Sequence, residues 1–535
     1  MPNYLTPGVY VEEIPSTSKP IEGVSTSIAA FVGLAPGGPV NTPIRIANWT
    51  QFAKTFGDPT DPKNGPFMEG AYLAHSVYGF FQNGGGICWV VRVGSENDSV
   101  VPVAALPSAT NKALEAFRIT ATGGDSDVTV ALDEVAPAPS GSKGKGDGED
   151  AAADGDAAKP TDREPTYRIV ITAGDQREEF DGLTLKKGRS NLATKVNAQS
   201  KLIQIEETGA ALPELARAPA SGTYALSVPP VSADSVEVTD ISGDVARRRG
   251  LGGLAAIDEV SIVAVPDLWA VAQGPNGDHA VKEIQTQLIA HCENAGDRMA
   301  ILDTPPNLLP QDVLDWRLDT AGYDSKFAAL YYPWVEVTDP ITKRPIQVPP
   351  SGHMAGVWCR TDATRGVHKA PANEVTLGAT GIGFQVTQDE QGSLNRVGIN
   401  CIRSFPGRGI RVWGARTMSS DPEWRYINVR RLFNYVSESI MLGTQWSVFE
   451  PNDEKLWIQL RVAAGNFLTR TWREGALFGS TPAEAFYVKC DAETNPPDVI
   501  EAGQVVCEIG ISPVKPAEFV VFRLSQFAEG GSQLD

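Results

Sequence analysis

The side chains able to do chemistry are few and scattered. Five histidines (His75, His279, His291, His353, His368) and six cysteines (Cys88, Cys292, Cys359, Cys401, Cys490, Cys507) are spread over 535 residues. One constellation invites a chemical reading: Cys359 lies between His353 and His368, the residue types of a thiol nucleophile with its base, or of a metal site. Thiol–imidazole catalysis needs adjacency in space, which spacing along the chain does not supply. The spacing also fits no zinc-ligand pattern. The plainer reading is a packed, hydrogen-bonded segment. A serine protease would need a nucleophile, a base and an orienting acid, and no Asp in D-T/S-G, His in H-G-T or Ser in G-T-S occurs. Gly250-Leu251-Gly252-Gly253-Leu254-Ala255 satisfies G-x-G-x-x-A but precedes its apolar run instead of following it, so the helix start of a dinucleotide site is missing. No G-x-x-x-x-G-K-[ST] is present. No catalytic residue, cofactor-binding residue or metal ligand is therefore assigned, and a non-enzyme is expected.

The elements that would position such residues are those of a multidomain chain with α/β and α+β parts. Hydrophobic residues make up 42% and charged residues 21%, enough for a sizeable core. No apolar run is long enough to span a bilayer, and the N-terminus carries neither a basic nor an apolar signal region. The cysteines form no C-x-x-C pair, which points to free thiols in a reducing compartment. A net charge of −19 disfavours nucleic acid as a partner.

Along the chain, residues 1–20 read as an N-terminal arm with a strand-like run from Val9 to Ile14, in which Val9, Tyr10 and Val11 would pair with a sheet of a neighbouring copy or of the same chain. Residues 21–100 read as the first part of an α/β core. Ile28–Leu34 and Ile87–Val93 are its strands, the latter fully apolar. Helices follow Asn48 and run through Ala74, Val77, Tyr78 and Phe81, stopping at Asn83-Gly84. Residues 101–250 read as an inserted β-rich domain, with a loop near 133–165 too polar to fold. Residues 251–405 read as the second part of the core: strand 260–265, helix 281–293 and strand 299–302 form a βαβ unit, and Ala328–Tyr332 extends the sheet. Residues 406–512 read as a C-terminal region with a strand at 410–418, a helix opening at Asp421-Pro422-Glu423 and a second opening near Asn452-Asp453. Strands at 486–490, 505–511 and 518–524 follow. The last lies in a C-terminal arm, 513–535, where Phe519, Val520, Val521, Phe522 and Leu524 would fill the two faces of an added strand.

Several ordered blocks resemble the phage tail sheath protein family. LTPGVYVEEI and FVGLAPGGPVNTPIRIANWTQFAKTFG resemble its N-terminal signature, and GGGICWVVRV ends the same segment. GHMAGVWCRTDATRGVHKAPAN and NRVGINCIRSFPGRGIRVWGARTM resemble its middle. DPEWRYINVRRLFNYVSESI and FEPNDEKLWIQLRVAAGNFLTRTWREGALFG resemble its C-terminal domain. The insertion at 101–250 is unmatched. The resemblance implies a subtilisin-like α/β core with a parallel sheet, and terminal arms that each add a strand to a sheet in a neighbouring subunit. It implies a structural subunit that stacks as hexameric rings wound helically around an inner tube and contracts to drive the tube through an envelope. Implied partners are itself, the inner tube protein, and baseplate and tail-terminator or cap proteins, without nucleic acid or membrane insertion. A C-terminal helix would grip the tube through charge. Lys455 and Arg473 share a helical register with Arg470 about 60° away, and a solvated basic edge is the alternative for each. A static shell or surface-array protein and a subtilisin-like hydrolase are the competing readings, and phage tail versus cell-encoded injection particle stays open.

Overall fold

Strands apolar on both faces belong in the middle of a parallel sheet, where helices cover each side. The computed structural model describes residues 20–57, 65–94, 102–112, 114–122, 128–135, 165–174, 176–208, 217–226, 236–272 and 277–523. It opens with β1 (Ile28–Gly33), β2 (Ile44–Ile46), α1 (Trp49–Phe56), α2 (Leu73–Gln82) and β3 (Ile87–Arg92). Next come β4 (Val103–Pro107), β5 (Glu115–Ala121), β6 (Val128–Val135), β7 (Thr166–Ala173), β8 (Gln176–Leu183), α3 (Leu192–Gln199), β9 (Ile203–Glu206) and β10 (Gly222–Ala225). The chain continues through α4 (Val238–Ser242), α5 (Gly250–Gly253), β11 (Ile262–Ala264), α6 (Leu268–Val271), α7 (Gly277–Ala295) and β12 (Met299–Asp303). Then follow α8 (Pro310–Asp315), β13 (Ala328–Tyr332), β14 (Val335–Thr338), β15 (Pro345–Val348), α9 (Ser351–Arg365) and β16 (Ala379–Ile382). After these come α10 (Gln388–Arg396), β17 (Ile399–Phe405) and β18 (Gly409–Val412). The last part holds α11 (Ile427–Thr444), α12 (Glu454–Arg473), α13 (Pro482–Ala485), β19 (Phe486–Lys489), α14 (Pro497–Glu501) and β20 (Glu508–Ile511).

The central sheet has eight strands in the order β18-β17-β13-β12-β11-β1-β3-β2. From β17 through β3 neighbouring strands run parallel, and antiparallel β18 and β2 close the two edges. Alternation within each strand feeds two cores. Phe31, Val90, Ile301 and Tyr331 meet Phe52, Phe80 and Trp358 of α1, α2 and α9. Val32, Val91, Leu302 and Leu330 meet Leu288, Val313 and Leu394 of α7, α8 and α10. Strand order reverses at β1 and β11, the place where a doubly wound sheet leaves a ligand crevice. Here the crevice is filled from within. The buried carboxylate of Asp267 accepts the amides of Leu34 (2.6 Å), Leu73 (3.2 Å) and Tyr72 at the start of α2. Asp303 accepts the Ser351 amide (2.8 Å) at the start of α9. Burial pushes both acids up to about 7, against the opposing pull of those hydrogen bonds.

α2 and α9 touch backbone to backbone. A Cβ on Gly352 would lie 2.3 Å from the Ser76 carbonyl, and one on Gly356 2.5 Å from that of Phe80. Between β3 and α4, two further sheets, β4–β5–β9 and β10–β6–β7–β8, enclose their own apolar cluster with Leu192 and Val196 of α3.

The structure departs from the sequence expectations at several places. Ile87–Val93 is not wholly apolar: Arg92 sits in β3 with no exposed surface and donates to the Gly38 carbonyl at 2.5 Å. α2 buries Leu73, Val77 and Phe80 while Tyr78 and Phe81 are half-exposed, because α9 covers a wider face than one stripe. β6 runs on through Asp133 to Val135, three residues into the expected loop, because β7 pairs with it along its whole length; residues 136–164 lie outside the described residues. The strand expected at 410–418 is β18 alone, Gly409–Val412, since beyond it the Arg416 amide is taken by the Asn400 side chain. β18 belongs to the central sheet, although 406–512 reads as C-terminal. Likewise Val236 and Ile241, at the end of the expected insertion, pack in the central core with Leu251 and Leu254. At Asp421 the cap starts only a 3₁₀ turn, Pro422–Trp424, and α11 begins at Ile427. Residues 518–523 pair with no strand among the described residues.

Two glycine substitutions should have opposite signs. Gly352→Ala places a methyl group against unyielding backbone and is expected to destabilise by about 1–3 kcal/mol. Gly392→Ala, in α10 with nothing within 4 Å of a Cβ, is expected to stabilise by about 0.5–1 kcal/mol. Urea unfolding of the isolated subunit reads both; equal tolerance at the two sites would contradict the packing.

Candidate functional site: the junction of the two chain ends

The candidate chemistry dissolves on inspection. His353 and Cys359 lie on α9 and are each 1% exposed. Cys359 donates to the Ser27 carbonyl at 3.3 Å, and burial pushes its thiol up to about 12, so it offers no thiolate. His353 packs against Gly79 and His75, and burial holds both imidazoles down to about 4, neutral at pH 7. His368 is not packed with them; its ring lies beside Gly366. Among the described residues no group of His, Cys, Asp and Glu could hold a metal, and no helix is long and apolar enough to cross a membrane.

What the fold does fasten are the two end segments of the described chain, both along α11: the N-terminal one near Ser439 and Gly443, the C-terminal one at Asn428. Asp453 caps α12 by accepting from Leu456 at 2.9 Å, and Leu456, Leu460 and Phe467 form the buried stripe of that helix. In α11 the stripe is Val429, Leu432 and Val436, and Arg430 and Arg431 are buried beside it. Arg430 is held among Trp424, Phe327 and Phe433, and donates to Asn434 at 2.7 Å. Arg431 forms a two-pronged ion pair with Asp362 of α9 (2.8 and 2.6 Å), both side chains being 4% exposed. Its guanidinium also donates to the Thr26 carbonyl (2.9 Å), and the Thr26 hydroxyl donates to Asp362 (2.6 Å). Three distant segments thus share one charge pair.

The N-terminal segment is fastened further along. Ile21 is buried against Gly443, and its carbonyl accepts from Arg470 at 2.8 Å; Val24 donates to Ser439 at 3.1 Å. Gly23 is required where the chain crosses Tyr435, since a Cβ there would lie 2.2 Å from the phenol oxygen. Beside this segment runs a groove of about 520 Å³ lined by Pro20, Trp446, Ile458, Val462 and Phe467.

The C-terminal segment leaves β20 and is held by Asn428, which donates to the Val514 carbonyl at 3.0 Å. Glu518 then locks it down. Its carboxylate accepts from Arg416 (2.9 and 2.6 Å), Asn395 (2.6 Å) and the Tyr426 hydroxyl (3.1 Å). Burial raises the Glu518 carboxyl, but these four bonds prevail and hold it below the usual range. Immediately after this clasp, Phe519, Val520, Val521 and Phe522 are 74%, 69%, 78% and 83% exposed. Four large apolar side chains in a row in water have no place in a finished monomer. The neighbouring sheet has two strands, β19 and β20, and neither outer edge carries a further strand among the described residues. Its Phe486, Val488, Ile509 and Ile511 pack on the same cluster as Ile21.

Of the residues expected here, Val9, Tyr10, Val11 and Leu524 lie outside the described residues. Lys455, Arg470 and Arg473 are exposed on α12 as its register requires, with Arg470 also tied to Ile21. Asp362, Arg431 and Glu518 were not foreseen. The one signal was Arg430-Arg431 inside an otherwise apolar helical run.

Comparison with known proteins matches residues 251–418 to the phage tail sheath protein central domain and 419–527 to the phage tail sheath C-terminal domain, together more than half of the chain. The chain belongs to the phage tail sheath family. It is 23% identical over 538 residues to the tail sheath protein of Burkholderia phage BcepMu, covering 97% of this chain and 96% of that one. With the tail sheath protein of Salmonella phage ViI it is 29% identical over 206 residues, 38% of this chain and 32% of the relative. Among solved structures it resembles the anti-feeding prophage helical sheath in its contracted state, with TM-score 0.56, 25% identity, and 97% and 99% of the two chains covered. The sheath complex of an extracellular contractile injection system, also contracted, shares the fold at TM-score 0.56 and 22% identity, over 99% of each chain. These relatives are structural tail sheath proteins, and this sheath chain is a structural subunit of a phage tail or contractile injection particle, not an enzyme.

Two measurements probe the site. Asp362→Ala would leave the Arg431 charge buried and unpaired, and is expected to cost about 3–5 kcal/mol, most of it recovered in the Asp362→Leu/Arg431→Met pair. A loss below about 1 kcal/mol in urea unfolding would mean that the pair is not the tie described. For His353 the folded imidazole titrates near 4 and the unfolded one near 6.5. Its stabilising contribution is full above the unfolded value and is lost as pH falls through the folded one. Wild type should lose about 3 kcal/mol relative to His353→Gln between pH 7 and 4, and parallel stability curves would contradict the burial.

Proposed function

We propose that this sheath subunit polymerises by donating its two ends to neighbouring copies, and that the β19–β20 hairpin is the acceptor. The observation that carries the reading is the exposed apolar run Phe519–Phe522, released directly from the Glu518 clasp beside a two-stranded sheet with open edges. Strand addition satisfies the edge amides and buries the alternate side chains of the incoming segment. Each large apolar side chain so buried contributes roughly 1.5–3 kcal/mol. Val9, Tyr10 and Val11 would enter from the N-terminal arm, and Phe519, Val520, Val521, Phe522 and Leu524 from the C-terminal arm. The anchors at Ile21 and Glu518 support this reading, because each arm then leaves a rigid body at a fixed point.

The finer assembly follows from the same premise. Subunits form hexameric rings stacked helically on an inner tube, with Lys455, Arg473 and the neighbouring Arg470 of α12 facing it. A baseplate fixes one end and a terminator or cap the other. Contraction brings the bodies into closer packing while the strand linkages persist, and newly buried area between bodies drives the tube forward. The parallel central sheet supports the subtilisin-like reading of the core, with Asp267 and Asp303 closing the crevice where a catalytic site would sit. Assembly takes place in the bacterial cytoplasm.

Deletion of residues 1–14 or of 517–535 is expected to leave a folded subunit, less stable in the second case because Arg416 loses Glu518, that no longer forms sheath tubes by electron microscopy. Normal tubes from both truncations would overturn the arm model. Wild-type particles imaged at one length only, before and after triggering, would favour a static shell over a contractile sheath.

A further inference from the structure

Strand register gives two of the six cysteines a partner. In the β19–β20 ladder Lys489 faces Glu508, so one step along the same register Cys490 faces Cys507. Residues directly opposed in an antiparallel pair have Cα atoms about 4.5–5.5 Å apart, inside the span of about 4.4–6.8 Å that a disulfide bridges. Both are free thiols, and each bears on the other's titration. Their surroundings are fixed: Asn495 accepts from the Val506 amide at 2.7 Å and donates to the Val506 carbonyl at 3.1 Å, while Leu456, Trp457 and Leu460 of α12 cover Cys490. Cys490 has no exposed surface and Cys507 is partly exposed, whereas Cys88, Cys292, Cys359 and Cys401 are buried in the central body.

We propose that Cys490 and Cys507 form a reversible disulfide site that ties the base of the β19–β20 hairpin. What the tie does for assembly rests on the acceptor role argued above; whether it forms does not. The oxidant is a small-molecule disulfide. The Cys507 thiolate attacks one of its sulfurs, breaking that S–S bond, forming a mixed disulfide and releasing one small thiolate. Cys490 then gives its proton to solvent and attacks the Cys507 sulfur, expelling the second small thiolate. Two protein thiols become one disulfide, and one small disulfide becomes two thiols. Burial pushes Cys507 up to about 12, so its thiolate is scarce near pH 7. The reaction is slow there and quickens about tenfold per pH unit. A subunit made in a reducing cell thus stays a dithiol, and long exposure to an oxidising medium closes it. Closing the loop that carries α14 removes opened conformations of the hairpin, so the sheet offered to neighbouring arms is held in shape.

The test uses the full-length subunit, incubated with oxidised glutathione at roughly pH 8.5 or with dithiothreitol. Free thiols are then alkylated in denaturant, and peptides are mapped without reduction. The expected product links the Cys490 and Cys507 peptides with loss of two hydrogens, reverses with dithiothreitol and is absent from Cys490→Ser. Amide exchange in β19 and β20 should slow about a hundredfold in the linked form. A stable glutathione adduct on Cys507 with Cys490 still alkylated would overturn the site, as would two free thiols after prolonged incubation. Because the linkage is read on the isolated subunit and strand donation on polymer formation, either can fail without the other.

Discussion

The arrangement of this subunit depends on one buried charge pair. Arg431 and Asp362 are almost without solvent, and an isolated charge at either position would be intolerable. Their two hydrogen bonds, with the Thr26 carbonyl and hydroxyl completing the coordination, fix α11 against α9 and pin the incoming N-terminal segment to both. Apolar contact alone could let α11 slide along the core. A two-pronged guanidinium–carboxylate contact has one geometry, so it sets register as well as contributing energy.

From that fixed point the body divides its work. The central sheet uses strict alternation to feed two cores, and closes its own switch-point crevice with Asp267 and Asp303. The histidines and cysteines that resemble catalytic groups are spent on packing. Unsatisfied surface is displaced to the rim formed by α11, α12 and the two-stranded sheet, where exposed Phe519 to Phe522 and the groove beside Pro20 lie. The apolar surface of the sheet is covered within the body, and the exposed apolar run lies at its margin.

Much of the body was legible in the sequence because it is locally determined. The Asn48 and Asp453 caps, the βαβ run through β11, α7 and β12, and the apolar stripe of α12 each follow from residue type and period. What escaped were features set by distant partners. Arg92 is acceptable inside β3 because the Gly38 carbonyl reaches it from another turn. Asn400 ends the run after β18 by taking the Arg416 amide. Glu518 looks like an ordinary acidic residue until Asn395, Arg416 and Tyr426, more than ninety residues away, converge on it. Of the candidate site, the apolar run at 519–522 was legible from residue type, but the anchors at Ile21 and Glu518 were not.

The hydrogen bond from Arg470 to the Ile21 carbonyl has a mechanical consequence. Tension entering through the residues before Pro20 does not stop at the edge of the body, because Ile21 is wedged against Gly443 and gripped by a guanidinium rooted in α12. A pull applied to the chain at Pro20 is therefore carried into α12, the helix that bears Lys455 and Arg473, instead of being absorbed by a slack loop at the margin.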